Sequence, residues 1–207
     1  MRHIPFFSAL VLGLSILFNT ACKQSNLETV EDTDEKGFQL RWQRDKQTFV
    51  KEGLYQRFYP GGVLAEEAHY VRDTIDGEHK YFYQNGKPES VERYRMGVYH
   101  GKYQKYDQQG RLMLEQDFVN GVMQGFSLGY YPSGALKEKY TMKDNEENGP
   151  FQEYHENGTL KTEGTYGPVK DGGTAEQGEL REYDDAGRLI RIADCKDGTC
   201  LSTWKAE

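Results

Sequence analysis

Histidines and adjacent carboxylates are the side chains of this sequence that could perform acid–base or metal chemistry. Beyond the first twenty-two residues the histidines are His69, His79, His100 and His155, and none has a partner at a metal-binding spacing such as His-Glu-x-x-His. His79 and His155 occupy places that tyrosine fills elsewhere in the chain, so we interpret them as aromatic substitutes. Asp184 and Asp185 are adjacent at a turn, where solvated loop charge explains them better than catalysis or calcium binding. We therefore predict a protein that is not an enzyme and has no metal or cofactor.

The first residues have the pattern of an export signal. Arg2 precedes an apolar run from Ile4 to Phe18, and Ala21 precedes Cys22. A basic start, a short apolar core and a small residue before a cut are typical of a secretory signal peptide, here residues 1–21. The Ala-Cys junction resembles a bacterial lipobox, although Asn19 stands where that pattern prefers leucine. The resemblance implies lipidation at Cys22; the alternative is a cleaved signal that leaves Cys22 free.

The other two cysteines lie close together near the end of the chain. If Cys22 carries lipid, Cys195 and Cys200 remain, with the turn-forming pair Asp197-Gly198 between them. An oxidising compartment favours a disulfide, whereas zinc would call for histidine or further cysteine ligands. We predict a structural disulfide between Cys195 and Cys200.

Between the signal and the body of the chain lies a strongly acidic segment. Its acidic residues are Glu28, Glu31, Asp32, Asp34 and Glu35. We interpret residues 22–36 as an acidic flexible tether and residues 37–52, with Trp42 and Phe49, as a degenerate repeat or cap.

Glycine marks a repeat along the body of the chain. The start glycines recur every 24 residues, with one interval of 29, at Gly53, Gly77, Gly101, Gly125, Gly149 and Gly178. With each start glycine counted as position 0, position 9 is again glycine, position 5 is always aromatic, and position 11 is leucine in five of the six copies. We predict six repeats, 53–76, 77–100, 101–124, 125–148, 149–177 and 178–200, followed by a C-terminal tail, 201–207.

Each repeat has the pattern of a β-hairpin. An aromatic-rich strand leads into a turn tripeptide that ends in the position-9 glycine, as in Gln84-Asn85-Gly86, and a second strand follows. A three-residue turn with that glycine in the left-handed conformation places positions 5 and 11 side by side, and strand alternation then predicts position 17 on the same face.

Positions 2 and 6 would lie on the opposite face, which is unusually aromatic. We interpret this as a candidate binding face made of Tyr55, Tyr59, His79, Tyr83, Tyr103, Tyr131, Phe151 and His155. The alternative is that these side chains pack under a curled sheet or act as exposed cross-strand pairs that stabilise it.

The repeat unit resembles a known family. The residues from Gly53 to Leu64, Gly-Leu-Tyr-Gln-Arg-Phe-Tyr-Pro-Gly-Gly-Val-Leu, and those from Gly101 to Leu112 resemble the bacterial variant of the MORN repeat, and the likeness covers residues 53–200. It implies an all-β fold, an elongated, twisted antiparallel sheet of stacked hairpins, and a scaffolding or binding role. Some relatives carry an antitoxin label, so an antitoxin or immunity-type inhibitor of a toxin is the alternative function.

Composition narrows the expected partners. The chain has 26 basic and 33 acidic residues and a formal net charge of −7. This negative charge disfavours binding to the phosphate backbone of a nucleic acid. We expect a protein or peptide partner in the cell envelope, no nucleic acid, and membrane contact only through the lipid anchor. Lys23 rather than aspartate follows Cys22, which favours the outer membrane or periplasm in a Gram-negative host. A purely mechanical envelope spacer is a third possibility.

Overall fold

The computed structural model describes residues 26–207, and every regular element in that range is a β-strand. The predicted signal peptide and Cys22 lie outside the described residues. The strands are β1 Leu27–Thr33, β2 Gln39–Asp45, β3 Lys51–Phe58, β4 Leu64–Val71, β5 Thr74–Phe82, β6 Pro88–Arg95, β7 Val98–Tyr99, β8 Gly101–Tyr106, β9 Leu112–Val119, β10 Val122–Tyr130, β11 Leu136–Lys143, β12 Glu146–Tyr154, β13 Leu160–Pro168, β14 Thr174–Glu176, β15 Gly178–Tyr183, β16 Leu189–Lys196 and β17 Thr199–Lys205. Within residues 26–207 there is no helix long and apolar enough to cross a membrane.

The strands form one open, antiparallel sheet in which chain neighbours pair from β1 to β17. The short strands β7 and β14 precede β8 and β15 and pair with β6 and β13. The predicted all-β sheet of stacked hairpins is therefore confirmed.

Two kinds of turn alternate along the two edges of this ribbon. At one edge the turn has three residues: the Tyr59 N–H donates to the Val63 carbonyl, and the Gly62 N–H, at φ +87°, donates to the Tyr59 carbonyl. At the other edge most turns have two residues, both with positive φ, such as Asn120 (+51°) and Gly121 (+82°), whereas the β2–β3 and β13–β14 turns are longer. Such two-residue turns match the right-handed twist of the strands they join. The predicted three-residue turn is confirmed, and it pairs positions 5 and 11 as expected.

A β-bulge after the three-residue turn of each of the six predicted repeats moves position 17 to the face opposite the predicted one. Arg57 pairs with Glu66, whereas the next residue, Phe58, pairs with Leu64, so Ala65 is an extra residue. The same shift recurs in all six repeats. Because one extra residue moves every later side chain to the other face, position 17 lies with position 2. The prediction that position 17 shares a face with positions 5 and 11 is wrong.

The N-terminal segment is a seventh hairpin rather than a tether. Residues 27–33 form β1, and a three-residue turn from Asp34 to Phe38 leads into β2. The charges interpreted as solvated are paired across the hairpin, Glu28 with Arg44 and Glu31 with Arg41, each pair 2.8 Å apart. The prediction of a flexible tether is therefore wrong for residues 27–33.

The C-terminal tail is also structured. Residues 199–205 form β17, which pairs antiparallel with β16, from Thr199 opposite Lys196 to Lys205 opposite Arg191. The predicted tail 201–207 therefore contributes Leu201–Lys205 to the sheet, because the Asp197-Gly198 turn returns the chain along β16.

The two faces of the sheet differ sharply. The aromatic face carries positions 2, 4, 13, 15 and 17, and its packed centre is a cluster of Phe151, Leu180, Ala193 and Cys195 with Tyr140 and Tyr166 against it. The charged face carries positions 1, 3, 14 and 16, where ion pairs such as Lys80–Glu78 (2.8 Å) connect neighbouring side chains. The largest cluster of buried side chains in the described residues thus lies in one layer on the aromatic face of a single sheet.

Candidate binding surface

The position-2 side chains of the predicted binding face are part of the packed layer. His79 and Phe151 are only 4% exposed, and Tyr55 and Tyr103 are half-buried. Phe151 has the Tyr166 ring 5.0 Å away and Gly164 beside it, where a side chain would collide with the Phe151 ring. The interpretation of position 2 as an exposed face is therefore wrong for His79 and Phe151. The bulge causes this, since it brings the position-17 rings over position 2.

His79 lies in a polar pocket within the aromatic face. Its Nε2 is 2.8 Å from Glu66 Oε1, and its Nδ1 is 3.7 Å from Glu92 Oε2 without a hydrogen-bond partner in residues 26–207. The Tyr94 hydroxyl donates to Glu92 at 2.8 Å, and burial raises the pKa of that phenol. In the described chain no group of three or more histidine, cysteine or acidic side chains is arranged to hold a metal ion.

The position-6 side chains connect consecutive repeats. The Tyr59 hydroxyl donates to the carbonyl of Phe82 at 2.7 Å, and the pattern recurs from Tyr83 to Tyr106 and from Tyr131 to Tyr154, both at 2.8 Å. His155 makes the same connection, with Nε2 3.0 Å from the Tyr183 carbonyl oxygen. We call these contacts turn bridges. They give Tyr59, Tyr83, Tyr131 and His155 a structural role between repeats.

Aspartate replaces the aromatic at position 6 in two repeats and has a different function there. Asp107 Oδ1 accepts from the backbone N–H groups of Gln109 and Arg111, and Asp107 Oδ2 pairs with the Arg111 side chain at 2.7 Å. The backbone N–H of Arg111, followed by its guanidinium, lowers the pKa of Asp107. Asp184 holds its own turn in the same way, so neither carboxylate is a free ligand.

The strand β10 contains a serine spacing that the sequence reading overlooked. The five residues Gly125-Phe126-Ser127-Leu128-Gly129 match Gly-x-Ser-x-Gly, the nucleophile turn of many hydrolases. That chemistry requires a sharp turn from a strand into a helix, whereas these five residues all lie within β10. The Ser127 hydroxyl accepts a 3.2 Å hydrogen bond from Gln116 on the neighbouring strand. The Ser127 side chain therefore contributes to a cross-strand hydrogen bond in this sheet.

The predicted cysteine pair lies on the aromatic face. The sulfurs of Cys195 and Cys200 are 2.03 Å apart and join β16 to β17, where the two residues are direct cross-strand partners. Cys195 also packs in the cluster around Phe151. The disulfide therefore ties the last strand of the sheet to its core.

The strand β17 exposes two large apolar side chains, one of which, Leu201, has the highest exposed fraction of the large exposed hydrophobic residues of the described chain. Leu201 is 70% exposed and Trp204 is 44% exposed. They pair with Asp194 and Ile192 of β16, which places both on the charged face beside the edge. The sequence prediction ends the last repeat at residue 200 and therefore does not include them, although the turn-forming pair Asp197-Gly198 followed by β-favouring residues such as Thr203 and Trp204 is the signal of a returning strand.

Family comparison identifies part of the repeat array. The model described as the MORN repeat variant matches residues 51–72, 75–95 and 147–166. These three segments correspond to the hairpins β3–β4, β5–β6 and β12–β13. A comparison with curated proteins found no match to the chain.

Proposed function

We propose that this chain is a non-enzymatic binding module, anchored in the cell envelope by lipid on Cys22, that binds a protein or peptide partner along the outer edge of β17. The unpaired edge of β17 carries this proposal. Matches to the MORN repeat variant support it, since such repeats generally serve as protein- or membrane-binding modules.

An unpaired edge strand offers backbone hydrogen bonds to an incoming strand. Within residues 26–207, β17 pairs only with β16, so one row of its N–H and C=O groups has no strand partner. Proteins usually protect such edges with charge. The first strand does so with Glu28, Glu31 and Asp32, whereas β17 presents Leu201 and Trp204. Backbone pairing with side-chain contacts beside it is the recognition mode called β-augmentation.

Ser202 is the residue at which this mode can be tested. It pairs with Ala193 between the hydrogen-bonded pairs of the hairpin, so its N–H points away from β16. Ser202→Pro removes that outward donor and leaves the pairing of Leu201 with Asp194 in place. Ser202→Ala is the matched control, because it also removes the hydroxyl that accepts from Arg191 at 2.8 Å but retains the N–H.

The experiment is affinity capture from the native envelope with the wild type and both Ser202 variants. We expect the same partner with the wild type and Ser202→Ala, and loss of that partner with Ser202→Pro. A partner captured equally by all three proteins contradicts binding at the β17 edge. Near-identical melting temperatures establish that Ser202→Pro retains the fold.

The anchor is tested separately. Cells fed a radioactive fatty acid should label the wild type, and Cys22→Ser should abolish the label. Equal labelling of both proteins overturns the lipid anchor without affecting the proposal for β17. A captured partner with toxin activity that this chain suppresses would replace the scaffold role with inhibition.

A further inference from the structure

Three rings on the aromatic face surround a lysine ammonium. Trp42 of β2, Tyr55 of β3 and Tyr70 of β4 lie with their ring centroids 5.9, 5.2 and 5.2 Å from Lys51 Nζ. All three distances fall within the range of cation–π attraction, about 6 Å. The Tyr55 and Tyr70 rings meet edge to face at 5.7 Å and form a corner.

The sheet register builds this cage. Trp42 is the direct cross-strand partner of Tyr55, and Tyr55 is the partner of Ala68, which is almost fully buried. Tyr70 pairs with Gly53, which has no side chain. The small residues Ala68 and Gly53, opposite Tyr55 and Tyr70, leave space between the rings. The side chain of Lys51, the first residue of β3, enters this space.

The rings are the side-chain partners of the Lys51 ammonium. Within residues 26–207 it forms no ion pair with a carboxylate and donates no hydrogen bond, although the residue is half-buried. A partly desolvated ammonium among three rings indicates that the cage itself stabilises a cation.

Nearby charges also favour a cation and disfavour an anion. Burial, and then the Glu66 carboxylate, raise the pKa of Tyr55 to about 12, so the phenol stays neutral. Glu66 and Asp73 both raise the pKa of Tyr70 after burial. The two arginines near the cage are both neutralised: Arg57 is ion-paired with Asp34, and Arg44, the cross-strand partner of Lys51, is ion-paired with Glu28, each at 2.8 Å.

We propose that Trp42, Tyr55 and Tyr70 form a binding site for a small quaternary ammonium compound, and that the Lys51 side chain occupies this site in the free protein and leaves when the ligand binds. A quaternary ammonium suits the site better than a primary ammonium, because it is weakly hydrated and presents methyl groups to all three rings. Ligands that also carry phosphate or carboxylate are disfavoured by Glu66 and Asp73. The ligand class is therefore cationic and choline-like.

The site can be tested by tryptophan fluorescence. The chain has two tryptophans, so Trp204→Phe leaves Trp42 as the single reporter at the cage. In that background we expect a saturable change in emission with tetramethylammonium and with choline, at constant ionic strength. If Lys51 fills the cage in about nine of ten molecules, Lys51→Ala should bind about tenfold more tightly.

Matched ligands and variants test whether the site recognises the positive charge and whether the Tyr70 ring is required. The neutral isostere 3,3-dimethylbutanol and the anionic-group ligands phosphocholine and glycine betaine should bind more weakly than choline. Tyr70→Phe retains the ring and should retain binding, whereas Tyr70→Leu should lose it. Should Tyr70→Leu fail to fold, the comparison of Lys51→Ala with its parent still tests the site.

Two results would overturn the proposal. Equal binding of choline and 3,3-dimethylbutanol would show an apolar site without cation recognition. Binding by Lys51→Ala alone, with no saturable response of the parent protein, would make Lys51 a permanent structural occupant. Neither result bears on β17, which lies at the opposite end of the sheet.

Discussion

The hydroxyl of Tyr83 donates a 2.8 Å hydrogen bond to the carbonyl oxygen of Tyr106, which lies 23 residues further along the chain and in the next repeat. The same turn bridge joins Tyr59 to Phe82 and Tyr131 to Tyr154. The residues that look most like a periodic binding surface in the sequence therefore connect neighbouring hairpins. In a sheet without a second layer, such contacts between adjacent repeats supply much of the stability.

Removing a turn bridge should weaken the array. Tyr83→Phe retains the ring and loses the hydroxyl, and we expect it to lower the free energy of unfolding by about 1 kcal/mol, the usual net value of one hydrogen bond. Urea denaturation monitored by circular dichroism measures the change. Tyr103→Phe is the control, because its hydroxyl makes no side-chain hydrogen bond within the described residues, and its cost should be clearly smaller. Equal costs would show that the bridge contributes nothing.

The two faces should respond differently to loss of a ring. Phe151 is 4% exposed in the central cluster, so Phe151→Ala should cost about 3–5 kcal/mol and can unfold the C-terminal half of the sheet. Phe126 lies on the charged face, is 42% exposed and has the Lys139 ammonium 4.1 Å from its ring centroid. Phe126→Ala should cost about 1 kcal/mol or less, the value of an exposed cation–π contact. Urea midpoints of both variants test which face holds the core.

Sequence reasoning succeeded where one residue type determines the local backbone. Recurrent glycines such as Gly62 and Gly86 located the three-residue turn of each of the six predicted repeats, and the pairing of positions 5 and 11 follows directly from those turns. The bulge could not be predicted in this way, because the residues at its extra position range from Ala65 to Lys137 and share no feature. One unrecognised extra residue per repeat was enough to move position 17 to the face of position 2.

The missed N-terminal hairpin has a different cause. Glu28 and Glu31 look solvated when only their near neighbours are considered, but their partners Arg44 and Arg41 lie 16 and 10 residues away. The turn did leave a signal: Asp34, with glycine three residues later, repeats the pattern of Asp107 and Asp184. The Lys51 cage left no comparable signal, because it depends on rings from three different strands.

The two kinds of glycine should differ in their tolerance of a side chain. Gly134 ends a three-residue turn at φ +89° with open space around it, so Gly134→Ala should cost about 1–2 kcal/mol of backbone strain alone. Gly134→Asn should cost less, since asparagine adopts positive φ more readily. Gly149 has φ +119° and Thr141 side-chain atoms 3.2 Å from the position of an added Cβ. Gly149→Ala should therefore be the most destabilising of the three, as measured by thermal denaturation.

The aspartates that hold turns predict how stability depends on pH. Backbone N–H groups, and then the neighbouring arginines, lower the pKa of Asp107 and Asp184 below the ordinary value of 3.8. A carboxyl with a lowered folded-state pKa contributes stability that is fully present above the unfolded value and is lost as the pH falls through the folded value. The contribution of both groups should therefore be constant near pH 7 and should disappear below about pH 3.8.

Urea midpoints at pH 7 and at pH 3 and below test this prediction. Asp107→Asn combined with Asp184→Asn should lower the midpoint at pH 7, and the difference from the wild type should shrink at pH 3 and below, because the wild-type carboxyls then become neutral too. Asp185→Asn is the matched control: its side chain makes no hydrogen bond or ion pair within residues 26–207, so its midpoint should follow that of the wild type at every pH. A midpoint difference for the double variant that persists unchanged in acid would mean that Asp107 and Asp184 stabilise their turns by shape rather than by charge.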